Sequence, residues 1–218
     1  MPSTRYQKIN AHHYRHIWVV GDIHGEYQLL QSRLHQLSFF PETDLLISVG
    51  DNIDRGPESL DVLRLLNQPW FTSVKGNHEA MALEAFETGD GNMWLASGGD
   101  WFFDLNDSEQ QEAIDLLLKF HHLPHIIEIT NDNIKYAIAH ADYPGSEYLF
   151  GKEIAESELL WPVDRVQKSL NGELQQINGA DYFIFGHMMF DNIQTFANQI
   201  YIDTGSPKSG RLSFYKIK

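Results

Sequence analysis

The chain has 218 residues, with 16 Lys and Arg against 30 Asp and Glu, so its formal net charge is −14. Apolar residues make up 42% of the sequence and charged residues 21%, which are proportions of a globular protein rather than of a disordered or fibrous one. The acidic balance argues against a general binder of nucleic acid or of anionic membranes, because both depend on basic surface. The absence of cysteine excludes disulfides, thiolate nucleophiles and cysteine zinc sites.

The beginning of the chain lacks the apolar core of a signal peptide, and no stretch approaches the ~20 apolar residues of a membrane span. These features predict a cytoplasmic protein. We find no internal repeat, low-complexity tract or Pro/Gly/Ser linker, so we expect residues 1–218 to form one domain.

Three short segments that each stop at a turn predict strands, and the first of them is an apolar run that suits a buried strand. They are Ile17–Val20, Leu45–Val49 and Phe71–Val74. Leucines at helical spacing between them predict two amphipathic helices, one carrying Leu30 and Leu34 and the other Leu60 and Leu63. This alternation of strand and helix predicts βαβ units with a parallel sheet.

Residues 79–123 are predicted to be mostly helical, with Ser108 capping one helix and with an acidic, solvated face on another. That acidic face comprises Glu79, Glu84, Glu87 and Asp90. The remaining chain is rich in strand signals, namely Ile126–Thr130, Ile134–Ala139, Tyr182–Phe185, Ile193–Ala197, Ile200–Asp203 and Leu212–Ile217. Asn131, Asp132 and Asn133 between the first two indicate a hairpin turn. The predicted fold class is α/β, with two packed mixed β-sheets flanked by helices.

Residues with oxygen or imidazole donors follow five of the predicted strands directly. They are Asp22 and His24, Asp51, Asn77, His140, and His187. Ligands of open α/β sheets bind beyond the carboxyl ends of the strands, so these side chains are expected to converge. Each has an ordinary explanation when it is taken alone, as a turn residue, a helix cap or a core histidine, but those explanations would have to hold at five strand ends at once.

This donor set is mixed oxygen and imidazole, which suits Mn, Fe or Zn better than an all-oxygen Mg or Ca site. Six donors exceed what one catalytic metal takes from a protein while it keeps an open position. They suit a pair of cations that share one carboxylate, an arrangement that clamps a phosphoryl group for in-line attack. His12, His13 and His16 belong to no such pattern and are expected to be exposed.

The blocks GDIHG (21–25), GDNIDRG (50–56) and GNHE (76–79) resemble the PPP family of metallophosphatases. The stretches HADYP (140–144), FIFGH (183–187) and IYIDTG (200–205) are similar to its compact bacteriophage-lambda type of Ser/Thr protein phosphatase. The resemblance runs from about Ile17 to Ile217. It implies the calcineurin-like metallophosphoesterase fold and a metal-dependent phosphatase of phosphorylated proteins. The acidic net charge adds the expectation that the protein binds neither nucleic acid nor membrane.

The resemblance also implies a role for each matching residue. Asp22 and His24 would bind the first metal ion, Asp51 would bridge both ions, and Asn77, His140 and His187 would bind the second. Arg55 would bind phosphate oxygens, and His78 would be the general acid, oriented by Asp54. The cofactor implied is a pair of divalent cations, with Mn²⁺ preferred over Fe or Zn, and the nucleophile implied is a hydroxide that bridges them.

The largest departure from the family pattern concerns a second arginine. The lambda-type enzymes carry a second phosphate-binding arginine two residues after a tryptophan, but here Val163 lies two residues after Trp161. We hypothesise that Arg165, two residues further along, takes this role through a shifted loop.

Two other functions stay open at this stage. Symmetrical diadenosine tetraphosphatases share nearly the same motif blocks, and they would need surfaces that stack adenine. Trp94, Trp101, Phe102 and Phe103 could supply such surfaces, or they could form a buried aromatic cluster. A non-catalytic, metal-dependent binding module is the third possibility, although such a protein would be expected to have lost His78 or a metal ligand.

Overall fold

A computed structural model describes residues 4–218, which form two β-sheets with helices around them. The strands are β1 (Tyr6–Asn10), β2 (Ile17–Val20), β3 (Leu45–Ser48), β4 (Phe71–Ser73), β5 (Ile126–Asn131), β6 (Ile134–Ile138), β7 (Tyr182–Phe185), β8 (Gln194–Phe196), β9 (Gln199–Tyr201) and β10 (Phe214–Lys216). The α-helices are α1 (Tyr27–Gln36), α2 (Ser59–Arg64), α3 (Asn77–Thr88), α4 (Asn92–Ala96), α5 (Asp107–Leu117), α6 (Ser157–Leu160), α7 (Asp164–Leu170) and α8 (Ser206–Ser209).

The smaller sheet has the strand order β10-β2-β3-β4. Strands β2, β3 and β4 are parallel, and α1 and α2 connect them, which confirms the predicted βαβ units. Strand β10 pairs antiparallel with β2, so the sheet is mixed. Because the three parallel strands run in one direction, the loops that follow them all leave from the same edge.

The larger sheet has the strand order β1-β5-β6-β7-β9-β8 and is also mixed. Strands β5 and β6 form the predicted hairpin, with Asp132 (φ 49°) and Asn133 (φ 66°) in the left-handed conformation that a tight turn demands. Strand β7 lies parallel to β6, so His140 and His187 follow strands that end at the same edge. The sequence analysis missed β1, an edge strand with half-buried and exposed side chains that pairs with β5.

The main core lies between the two sheets, where alternate side chains of facing strands meet. Val19 and Ile47 from the smaller sheet pack with Ile127, Ile138 and Ile184 from the larger one. The intervening residues point to the opposite faces. Those faces are covered by α1 and α2 on the smaller sheet and by the segments around α6 and α7 on the larger one. The predicted fold class is confirmed.

Residues 77–122 are mostly helical, as predicted, but two details of the prediction are wrong. Asn106, not Ser108, caps α5, since the Asn106 side chain accepts hydrogen bonds from the backbone N–H groups of Ser108 and Glu109. Glu79 is fully buried rather than part of a solvated face, whereas Glu84 is exposed. None of the helices in residues 4–218 is both long and apolar enough to cross a membrane.

Candidate active site

The loops that follow the central strands of both sheets meet at one edge of the molecule. The His140 ring, after β6, donates from Nδ1 to the carbonyl oxygen of Val49 after β3, at 2.8 Å. The backbone N–H of His187, after β7, donates to the Asp22 carboxylate after β2, at 3.1 Å. Loops from the two sheets are therefore in direct contact, as the strand-end pattern predicted.

Glycines allow this close approach. A Cβ atom on Gly186 would collide with Oδ1 of Asp22, and one on Gly76 would collide with Oδ1 of Asp51. Only glycine leaves room at these two points for the carboxylates to lie against the backbone of the neighbouring loop.

Asp51 lies at the centre of the cluster. Its Oδ2 is 3.7 Å from His24 Nε2 and 3.9 Å from His78 Nε2, and its Oδ1 is 3.4 Å from His140 Nε2. Two groups of donor atoms, each spanning at most 4.8 Å, share this carboxylate. One group is His24, Asp51 and His78, and the other is Asp51, His140 and His187.

Two of the imidazoles present Nε2 to the centre because a backbone carbonyl engages Nδ1. His24 Nδ1 lies 2.9 Å from the Ile53 oxygen, and His140 Nδ1 lies 2.8 Å from the Val49 oxygen. This is how protein metal ligands are usually oriented, since the carbonyl fixes which nitrogen keeps the proton. Burial lowers the pKa of His24 to about 3. A neutral ring of this kind is the form that binds a metal ion.

Asn77 and His187 complete the second group. Asn77 Oδ1 is 2.8 Å from His140 Nε2 and 3.1 Å from His187 Nδ1, so three atoms that could coordinate a metal ion face one another. Asn77 is the first residue of α3, and it follows β4 across the turn at Gly76. Burial lowers the pKa of His187 to about 4, which keeps this ring neutral as well.

Two buried carboxylates, those of Asp22 and Asp51, favour the binding of a cation at this cluster. Burial, together with the nearby carboxylates of Asp203 and Asp51, raises the pKa of Asp22 well above its ordinary value. Burial opposes ionisation of Asp51 too, but the histidines around it, His140 first, hold the pKa of Asp51 well below its ordinary value. The convergent oxygen and imidazole donors, crowded carboxylates and absence of thiolates fit divalent cations. Asp203, a buried carboxylate near Asp22, was not singled out by the sequence analysis.

The remaining motif residues lie beside this cluster. His78 Nδ1 is 2.6 Å from Asp54 Oδ2, and both side chains are buried. The exposed Arg55 donates from its two terminal nitrogens to Nε2 of His24 at 2.8 Å and to Nε2 of His78 at 2.9 Å. The predicted pairing of His78 with Asp54 is thus present, and Arg55 is the solvent-facing cation next to it.

Arg165 lies apart from these residues. Its Nε donates to Asp142 Oδ1 at 2.8 Å, and its Nη2 donates to the carbonyl oxygens of Tyr143 at 3.0 Å and of Gly145 at 2.6 Å. The guanidinium thus ties α7 to the loop that follows His140, and only Nη1 has weaker contacts, with Gln175 at 3.4 Å. Its binding of phosphate stays a prediction, which would require these bonds to open.

Glu79 is the functional residue that sequence reasoning assigned wrongly. Its carboxylate accepts hydrogen bonds from the backbone N–H groups of Asp51, Asn52 and Gly76 at 2.8–2.9 Å. It thereby fixes the turn that holds Asp51. Glutamate at the third position of a helix that begins after glycine is a recognisable capping signal, and it could have indicated this role.

Comparison with known proteins identifies the family of this chain. The family model for calcineurin-like phosphoesterases matches residues 15–190, and the chain belongs to that family. It is 99% identical over 218 residues to Serine/threonine-protein phosphatase 2 of Escherichia coli strain K12, with both chains covered in full. It is also 44% identical to Serine/threonine-protein phosphatase 1 of Salmonella typhimurium, across 100% of this chain and 99% of that protein.

Two further similarities are more distant. A symmetrical bis(5'-nucleosyl)-tetraphosphatase of Erwinia tasmaniensis is 34% identical over 126 residues, which are 57% of this chain and 43% of that protein. A crystal structure provisionally described as a diadenosine tetraphosphatase has a TM-score of 0.73 at 23% identity, covering 98% of this chain and 94% of that one. At this identity the likeness concerns the fold alone.

Proposed function

We propose that this chain is a metal-dependent protein phosphatase that removes phosphate from phosphoserine and phosphothreonine, with phosphotyrosine and aryl phosphates as further substrates. The observation that carries the proposal is the pair of groups of metal-binding side chains that share Asp51, one of which includes His78, the partner of Asp54. The names of the relatives that match over the whole chain support the same activity.

Six residues are proposed to hold two divalent cations, with Mn²⁺ preferred over Fe and Zn. Asp22 and His24 would bind one cation, Asp51 both, and Asn77, His140 and His187 the other. Such cations, when bound, neutralise phosphoryl oxygens and make water a nucleophile near neutral pH. The chain's part is to hold these largely buried imidazole, amide and carboxylate groups in one fixed arrangement.

Arg55 is proposed to bind the phosphate of the substrate. It is exposed at the mouth of the site, and its planar guanidinium can donate two parallel hydrogen bonds to phosphate oxygens. Its present acceptors are the Nε2 atoms of His24 and His78. When the guanidinium turns from these nitrogens to a phosphate, Nε2 of His78 is released toward the same group.

His78 is proposed to donate a proton to the leaving oxygen. A seryl or threonyl alkoxide is a poor leaving group, so a positioned acid contributes typically 10²–10⁴-fold. Asp54 accepts from Nδ1, so it stabilises the charged ring and leaves Nε2 facing the substrate. Burial of His78 opposes its protonation, but Asp51 and Asp54 raise the pKa of this ring above its ordinary value.

The structure gives little support to the two alternative functions, a diadenosine tetraphosphatase and a non-catalytic metal-binding module. Trp94, Trp101 and Phe102 are buried, and Phe103 alone of the four aromatics is exposed, so a surface that stacks adenine is not formed by them. The sequence keeps His78, Asp54 and all six residues proposed as ligands, which argues against a module that binds metal without turnover.

Parallel assays test the proposal. Phosphate release from a phosphoserine peptide and hydrolysis of diadenosine tetraphosphate are measured with the metal varied and the bound metal counted. We expect Mn²⁺-stimulated turnover of the peptide and about two ions per chain. A clear preference for the dinucleotide, or no metal-stimulated release of phosphate from any ester, would refute the proposal.

The role of His78 has its own test. His78→Asn should lower kcat on the phosphoserine peptide by about 10² or more, and by less on an aryl phosphate, whose leaving group needs less protonation. His122→Asn, at an exposed histidine away from the site, is the matched control and should leave kcat unchanged. Equal losses on both substrates would contradict the proton-donor role.

A further inference from the structure

The carboxylate of Asp54 has two neighbours that no motif predicts. Trp101 Nε1 donates to Oδ1 at 2.8 Å, and Trp94 Nε1 donates to both oxygens, at 3.0 and 3.1 Å. Together with His78 Nδ1 at 2.6 Å, three ring N–H groups surround one carboxylate whose residue is completely buried. Among the described residues no lysine or arginine forms an ion pair with Asp54.

Both indoles come from residues 92–104, a segment that contributes none of the proposed metal ligands. Trp94 lies on α4 and Trp101 on the 3₁₀ turn that follows it, and their rings pack edge to face, 6.2 Å apart. A Cβ atom on Gly99 would lie 2.6 Å from the Trp94 ring, so a small residue is required there. The same segment supplies the carbonyl of Gly98, which accepts from the backbone N–H of Arg55.

An indole N–H can donate but cannot accept, and it does not titrate. Two such donors therefore hold the orientation of the Asp54 carboxylate without adding positive charge next to His78. Oδ2 is left facing Nδ1 of the imidazole, and this bond in turn decides where Nε2 points. A guanidinium or ammonium in the same place would compete with His78 for the carboxylate.

We propose that Trp94 and Trp101 are positioning residues for the proton-donating histidine and that they act through Asp54. The inference rests on the proposed phosphatase function and on the proposed role of His78. It assigns to segment 92–104 a part in the reaction that its aromatic composition alone does not suggest, since such residues ordinarily fill cores.

Core packing alone does not account for this arrangement. Trp18 in β2 shows the contrast, because its indole N–H is buried without a hydrogen-bond partner in the described residues and its ring alone contributes to packing. At Asp54, by contrast, both indole N–H groups converge on one acceptor. Hydrogen bonds to a charged group in a buried site are among the stronger ones in proteins.

The test is a Trp→Phe series, which keeps an aromatic ring and removes the N–H. For Trp101→Phe, and for Trp94→Phe, we expect kcat on a phosphoserine peptide to fall about tenfold, since each variant removes a hydrogen bond to a charged group. We expect a smaller loss on para-nitrophenyl phosphate, an unchanged KM and an unchanged content of bound Mn²⁺. Trp18→Phe is the matched control, with kcat equal to that of the wild type.

A double-mutant cycle with Asp54→Asn separates positioning from packing. If the indoles act through the carboxylate, Trp101→Phe should have little further effect on kcat once Asp54 is replaced. Additive losses, equal losses on the two substrates, or a raised KM would each overturn the proposal. Thermal unfolding is followed for every variant, and if Trp101→Phe does not fold, the same comparisons are made with Trp94→Phe, in which the shorter bond from Trp101 is kept. Absence of phosphate release by the wild type would instead refute the proposed function.

Discussion

The carboxylate of Glu79 is predicted to be the main support of the turn that carries Asp51. Oε2 accepts from the backbone N–H groups of Asp51 and Gly76, at 2.9 and 2.8 Å. Oε1 accepts from the backbone N–H of Asn52 at 2.8 Å and from its side-chain amide at 3.1 Å. All four partners are donors, so only an ionised carboxylate satisfies them together.

Glu79→Gln replaces one of these oxygens with an NH₂ group. Whichever way the new amide is turned, its NH₂ faces two N–H donors and two hydrogen bonds are lost. At about 1.5 kcal/mol for each bond to a charged group, the expected loss in free energy of unfolding is about 3 kcal/mol. The backbone of Asp51 has φ 52°, a conformation that is unfavourable for aspartate, so the turn should relax when these bonds are removed.

The free energy of unfolding is measured by urea titration of the metal-free protein, and Mn²⁺ affinity is measured separately. Glu84→Gln is the matched control, because Glu84 lies on the same helix, α3, and is exposed. Its free energy of unfolding should change by less than about 0.5 kcal/mol. If Glu79→Gln were no more destabilising than this control, the assignment of Glu79 as the support of the turn would be refuted.

Three further predictions concern single carboxylates and one arginine. Asp51→Asn should weaken both cations together, since both donor groups use this carboxylate; metal analysis that still finds two tightly bound ions would contradict the shared role. Arg165→Ala should lower the free energy of unfolding by about 3 kcal/mol, because it leaves Asp142 buried without its partner; unchanged stability with a raised KM would favour the phosphate-binding role instead. Burial opposes ionisation of Asp44, but bonds from Arg15 hold the pKa of Asp44 below its ordinary value of 3.8. The ionised Asp44 carboxylate should therefore stabilise the fold above pH 3.8 and lose this effect as the pH falls through its folded-state pKa. The free energy of unfolding of the Asp44→Asn variant should then depend less on pH in acid than that of the wild type. An unchanged acid dependence would refute this prediction.

Much of the fold was predictable because the inner strands are continuous apolar runs bounded by turn residues. Ile17–Val20 is predicted with the bounds that β2 has, since burial selects apolar side chains along this inner strand. Phe71–Val74 is predicted to within one residue of β4, although this strand is at the edge of its sheet and contains Thr72 and Ser73. Strand β1 was missed for the opposite reason. It is an edge strand whose side chains are half buried or exposed, and its pairing with β5 depends on residues about 120 positions away.

The side chains that converge at the strand ends could be predicted because the direction of the chain places them. Asp51 and His140 directly follow strands, so their position depends on topology rather than on detailed packing. The role of Trp101 could not be predicted in this way. Its indole reaches Asp54 from a 3₁₀ turn 47 residues later in the chain, and nothing in the local sequence specifies that contact.

Five residues of the proposed site have left-handed backbone conformations, which favour glycine. They are His24 (φ 47°), Asp51 (φ 52°), Asp54 (φ 75°), Arg55 (φ 71°) and His187 (φ 62°). Each such residue costs of order 1–3 kcal/mol, but glycine has no side chain with which to bind a cation, a proton or a phosphate. Hydrogen bonds with other elements stabilise several of these turns. Glu79 accepts from the backbone N–H of Asp51, and Trp101 donates to the carboxylate of Asp54. The groups proposed to react are therefore held in place by residues to which no step of the proposed reaction is assigned, and for that reason substitutions such as Glu79→Gln and Trp101→Phe are the sharpest probes of this site.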